Sequence, residues 1–114
     1  MKQSVLFVLC MFLTVHHLTA DSITSNLALS DTTQASTKIE SYLKLAKYNA
    51  TRNASRSITY ARKALQESQQ TQSFHHIAKS YYHLGYAHYN LNHFDSAITY
   101  LQKAADISKN EDNP

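Results

Sequence analysis

From Lys38 onward, apolar residues recur three and four positions apart with Lys, Arg, Gln and Ser between them, the pattern of helices that each bury one stripe. The spacing predicts four of them. The first covers about Lys38–Tyr48 and turns Ile39, Leu43 and Ala46 to one side, with Tyr42 beside them. Thr37 and Glu40 stand at its start with the spacing of a capping box, in which each side chain satisfies an orphan backbone N–H. The second covers about Ala54–Ser68, with Ile58, Ala61, Ala64 and Leu65 along one face. The third runs over Phe74–Asn90 and the fourth over Phe94–Ser108, and Asn92 between them is placed to cap the helix that follows. Connections this short force antiparallel neighbours.

Upstream the pattern is different. After Lys2, residues Val5 to Val15 carry no charge, a run too short for the ~20 residues that span a bilayer but matching the h-region of a secretory signal. Residues 1–20 are therefore expected to be a signal peptide cut before Asp21, although Leu18 is larger than the usual residue three places before the cut. The mature chain would be exported, periplasmic or extracellular, with no stable membrane span. An uncleaved signal would instead anchor it. Residues 21–37, rich in Ser, Thr, Asp, Asn and Gln, are expected to form a flexible linker, and 109–114 a polar tail.

Sliding the chain by 40 residues lays Ser57–Leu65 over Ala97–Ala105, with Ile, Thr, Tyr, Lys and Ala agreeing in place and Ser68 falling on Ser108. The downstream copy also has Tyr81, the pair Leu84-Gly85 and His88, followed by Ala97, Leu101 and Ala104. In residue type and spacing this resembles the tetratricopeptide repeat family, which alternates such large and small residues over two helices. The resemblance implies an all-α fold of two antiparallel helix-turn-helix repeats, 38–70 divergent and 74–108 well matched, forming a short right-handed α-solenoid. It also implies a packing role for Tyr81, Leu84, Gly85, His88, Ala97, Leu101 and Ala104, with Gly85 allowing close approach of the two helices. The match departs from the family at His88, where Tyr is commoner, and at Lys109, where Pro is frequent. The upstream copy keeps the second-helix pattern but has no Leu-Gly pair. The 40-residue spacing resembles repeats of bacterial extracytoplasmic sensor and regulator proteins.

Composition narrows the chemistry. One glycine and one proline in 114 residues leave few of the turns a sheet protein needs, so the composition agrees with helix. The net charge of +3 is spread over eleven Lys and Arg among eight Asp and Glu, without the block that tracks a phosphate backbone, so no nucleic acid is expected. Cys10 lies inside the signal and leaves the mature chain without thiol chemistry. His75, His76, His83, His88 and His93 crowd one segment, but steps of five turn successive rings about 140° around a helix. No metal site, cofactor or catalytic residue is expected, and the chain is read as a non-enzyme. Asn49-Ala50-Thr51 and Asn53-Ala54-Ser55 match the glycosylation acceptor pattern, which arises easily in a turn of this composition.

By the resemblance and by helical phase, Lys79, Tyr82, Tyr86, Tyr89 and Asn90 face a concave groove that takes a peptide or a partner helix, steered by Lys79 and Lys47. The competing reading of this tyrosine stripe is packing against a neighbouring repeat. A second class of reading also stands: a partial chain without independent function, or self-association through the uncapped fourth helix, because helical repeats generally need at least 3 copies or a cap.

Overall fold

A computed structural model of the chain describes residues 2–112, with side chains described from residue 24 onward. The described residues form four helices and no strand: α1 (Lys2–Asn49), α2 (Ala54–Gln70), α3 (Phe74–Asn90) and α4 (Phe94–Asp112). This is the all-α class that the periodicity implied. The chain divides into two compact units, residues 1–33 and 34–114. The side chains of the expected signal, 1–20, lie outside the described residues, as do residues 113 and 114 of the expected tail.

In the first unit the described side chains, 24–33, are all exposed. This stretch belongs to the segment expected to be a flexible linker, yet it is helical. Its hydroxyls show how such a sequence holds a helix: Ser30 donates to the Leu27 carbonyl at 2.8 Å, Thr32 to Ala28 at 2.6 Å and Thr33 to Leu29 at 2.8 Å. Side chains that compete with the helix elsewhere are here bonded back onto it. The helix also runs through Thr37, so no N-terminus exists there to be capped, and Glu40 is used otherwise.

The second unit packs the C-terminal part of α1 against α2, α2 against α3 and α3 against α4. Ile39 and Leu43 of α1 meet Ala64 of α2, while Ala46, Ala61 and Leu84 of three successive helices form a second cluster. Most contact residues are small. Ser57, Ser68, Ser80, Ala61, Ala64, Ala87 and Ala97 are all buried, which lets helix axes approach closely. Their hydroxyls are satisfied on backbone carbonyls, Ser57 across the helix pair on Ala46 at 2.7 Å and Ser80 on His76 at 2.7 Å. Polar type had left Ser57, Ser68 and Ser80 out of the expected core, and Ala87 was missed with them.

The helix ends follow one scheme twice. After α2, Gln72 adopts φ 53° while Ser73 N–H reaches the Ser68 carbonyl at 3.0 Å and Gln72 N–H reaches Gln69 at 3.2 Å. After α3, Asn92 adopts φ 61°, with His93 N–H on His88 at 2.9 Å and Asn92 N–H on Tyr89 at 2.9 Å. These are Schellman caps, whose residue past the helix end takes the left-handed conformation. Asn92 thus closes α3 and does not cap α4, a correction of the expectation above. The N-cap that the side chains do build is Asn53, which accepts the Arg56 N–H at 3.0 Å.

The turn between α1 and α2, residues 50–53, is one residue longer than that between α3 and α4, residues 91–93. This insertion hides half of the repeat from a fixed-period comparison. Tyr42 stacks on Tyr60 at 6.5 Å and Tyr81 on Tyr100 at 6.1 Å, with Lys63 and Lys103 lying over the respective rings. Tyr60 and Tyr100 are 40 positions apart, but Tyr42 and Tyr81 are 39 apart. In the register of the first helices, Leu45-Ala46 therefore stands where the second hairpin has Leu84-Gly85. The upstream copy holds a Leu-small pair after all.

The two left-handed residues differ in what they tolerate. Gln72→Gly is expected to raise stability by about 0.5–1 kcal/mol, because glycine adopts positive φ without a steric penalty. Asn92→Gly should gain less, since Asn already tolerates this conformation. Urea unfolding midpoints of the two variants measure the difference.

Candidate functional site

At Gly85 the two helices of the second hairpin approach closely. A Cβ there would lie 2.7 Å from Leu101 Cγ and 3.1 Å from the Ala97 carbonyl oxygen, and the latter is backbone that has no room to rotate away. Leu84, Ala97 and Ala104 are buried around this contact, whereas Tyr81 and His88 are half-buried and Leu101 remains partly open. Tyr100 joins the two half-buried rings, stacking on Tyr81 at 6.1 Å and on His88 at 5.3 Å. Gly85→Ala should cost about 1–3 kcal/mol as the helices are pushed apart, read as a lowered melting temperature by circular dichroism.

Side chains of α1 and α3 enclose a groove of about 460 Å³, lined by Glu40, Leu43, Lys44, Lys47, Lys79, Tyr82 and His83. Its only acid is already engaged: Glu40 accepts from Lys79 at 3.2 Å and contacts His76 Nε2 at 3.1 Å. Burial would push the Glu40 carboxyl up, but the hydrogen bonds and charges of Lys79 and His76 outweigh it and hold the group below the ordinary carboxylate range. Lys44 and Lys47 enter no ion pair among the described residues. The groove therefore carries uncompensated positive charge.

Lys79 and Tyr82 of the expected binding stripe line this groove. Tyr82, Tyr86 and Tyr89 are 52%, 38% and 56% exposed, so none of the three is packed into the hairpin core. Tyr82 and Tyr86 lie parallel at 6.4 Å, and Tyr89 meets Phe94 edge-on at 5.8 Å. Asn90 behaves otherwise: its Nδ2 donates to the Ala50 carbonyl at 2.7 Å and ties α3 to the turn after α1. Sequence reasoning missed His83 and Lys44. Helical phase could have found both, since Lys44 lies one turn from Glu40 and His83 one turn from Lys79.

His83 is half-buried in the groove wall, and its Nδ1 is buried without a hydrogen-bond partner. Burial, then the charges of Lys47 and Lys79, hold it below its ordinary value of 6.5, opposed by Glu40. His88 is likewise held down, first by burial and then by His93 and Arg62. The His88 and His93 Nδ1 atoms are 3.4 Å apart. The five-residue argument that separated these rings holds only within a helix, and the Schellman turn folds His93 back over the last turn of α3. Among the described residues no three His, Cys, Asp or Glu side chains converge on a common point. The amides of the two glycosylation triplets have structural tasks, Asn49 being buried with Nδ2 on the Leu45 carbonyl at 2.7 Å and Asn53 capping α2.

Stacked antiparallel helices with a groove along the first helices of successive hairpins are the architecture of a helical-repeat protein. Residues 78–111 match the family model described as Tetratricopeptide repeat, and this segment is a tetratricopeptide repeat. Such repeats are typically interaction modules for other proteins and not enzymes. No curated protein and no solved structure matches the chain. No helix among the described residues is long and apolar enough to cross a membrane.

The two depressed histidines set a pH dependence with a defined sign. A folded-state value below 6.5 means that the unfolded chain takes up protons first on acidification, so stability is full above the unfolded value of 6.5 and is lost as the pH falls from there through the folded value. Urea midpoints should fall between about pH 7.5 and 5.5, the window around the free imidazole value. His83→Gln should flatten the fall.

Proposed function

We propose that the chain is an exported protein-interaction module, not an enzyme, whose groove between α1 and α3 holds an acidic segment of another protein. The single observation that carries this reading is the charge of the groove: Lys44, Lys47 and Lys79 line it, and its one acid, Glu40, is already shared between Lys79 and His76. An acidic side chain or terminal carboxylate would be drawn to the lysines, and the exposed ring of Tyr82 supplies apolar contact with a hydroxyl at its tip. The unpartnered Nδ1 of His83 adds a buried hydrogen-bonding group in the same wall.

Export is supported by the charged start and apolar run of residues 1–20, which fit a signal peptide. Placement at the sensing end of a bacterial extracytoplasmic regulator is supported by the 40-residue spacing of the second helices. The Lys44 and Lys47 ammonium groups would then face ligands outside the cytoplasm.

Fluorescence anisotropy with a labelled Glu-rich peptide and a Lys-rich peptide of equal length tests the groove. The acidic peptide should bind, with affinity falling as salt rises, and Lys44→Glu with Lys47→Glu should weaken it by roughly tenfold or more. Tyr82→Ala, Tyr86→Ala and Tyr89→Ala combined should weaken binding while leaving the melting temperature nearly unchanged, since these rings are exposed. Equal affinity for both peptides would sink the acidic assignment, and intact binding with a collapsed melt would show the stripe to be core.

A further inference from the structure

Of the groups lining the groove between α1 and α3, His83 is the one whose charge changes near neutral pH. Glu40, Lys44 and Lys47 line the same groove from α1, and Lys79 and Tyr82 from its own helix. Among the described residues no charged group of α2 or α4 lines it. The Tyr82 ring meets the His83 imidazole edge-on at 5.4 Å. The two ring nitrogens differ: Nδ1 is buried without a hydrogen-bond partner, whereas Nε2 is not buried and makes no bond among the described residues. A buried N–H without an acceptor costs more than a bare lone pair, so the neutral ring carries its proton on Nε2, its open side.

Without a ligand, a second proton on this ring meets two costs. It places an N–H on the buried Nδ1 with nothing to accept it, and it adds a positive charge beside Lys47 and Lys79. Glu40 offsets only part of this, being shared between Lys79 and His76. A carboxylate seated among the lysines changes the second cost. It compensates the charges of Lys47 and Lys79, and it accepts from the Nε2–H in a hydrogen bond that strengthens once the ring is charged. The cost at Nδ1 stays as it was, so the gain is electrostatic and bounded.

We infer that His83 couples capture of an acidic segment to uptake of a proton, so that the groove holds its ligand more tightly as the medium acidifies. This rests on the acidic-segment reading of the groove and adds to it the residue that regulates it. Linkage fixes the sign: a ligand that prefers the charged ring raises the affinity of that ring for its proton by the same factor by which the proton raises affinity for the ligand. Glutamate side chains, with an ordinary value of about 4.3, remain largely ionised down to about pH 5.5. Their own protonation would loosen binding, the opposite sign, so the two effects are separable.

Calorimetric titration of the full chain with the Glu-rich peptide, in two buffers of different ionisation enthalpy near the free imidazole value, reads the proton directly. The heats should differ between buffers in the sense of proton uptake, and affinity should rise roughly fivefold between about pH 7.5 and 5.5. His83→Gln, whose side chain cannot charge, should bind the peptide without acid dependence and without proton uptake. Imidazole NMR of the unmodified chain needs no variant: the His83 ring should titrate at higher pH with saturating peptide than without it, and an unmoved titration would overturn the inference. Acid dependence kept in His83→Gln but lost in His76→Gln would overturn it as well, by placing the proton on the group that holds Glu40. Binding that is independent of pH, or weaker in acid, would remove this inference alone and leave the acidic-segment reading standing. A peptide that binds nowhere in this range would sink both.

Discussion

The second unit depends on how closely its helices approach one another. At Gly85 the backbone of α3 lies so near Leu101 and the Ala97 carbonyl that no Cβ fits without displacing them, and most of the other buried contacts are made by Ala and Ser. Close approach has two consequences. It leaves little volume for large core side chains, so the bulky rings are pushed to the edges of the hairpins, where Tyr81 and His88 both meet Tyr100. It also fixes the spacing between first helices, and so the width of the groove in which Lys44, Lys47 and Lys79 gather. Stability and the candidate site are set by the same small residues.

Much of this was legible in the pattern of apolar positions. The bounds of α3 coincide with those read from the sequence, because Phe74 and Asn90 border turns whose residues leave the helical pattern. The match over residues 78–111 rests on spacing that needed no structure to see. What escaped was local and physical. A Ser- and Thr-rich stretch before Lys38 reads as loop, yet residues 30–33 return their hydroxyls to the backbone one turn earlier and remain helical. Leu45-Ala46 escaped because a single added turn residue shifted it out of a fixed period. Ser57, Ser68 and Ser80 escaped because composition cannot reveal a hydroxyl satisfied by a carbonyl.

The site was half legible. Lys79 and Tyr82 line the groove as helical phase suggested, but Asn90 is spent on the Ala50 carbonyl, a tie that only the packed turn reveals. The neutralisation of Glu40 was not visible either, since its partners His76 and Lys79 lie on another helix. That pair changes the meaning of the groove: an acid that seemed to balance the lysines in composition is already committed to them, and the remaining charge is available to a ligand.

Amide hydrogen exchange, followed residue by residue while a Glu-rich peptide is titrated in, tests whether the groove between α1 and α3 is the binding surface. Slowed exchange is expected in the α1 segment around Lys44 and Lys47 and in α3 around Lys79 to His83, with α2 unchanged. Protection confined to α4, or spread evenly over all four helices, would contradict it.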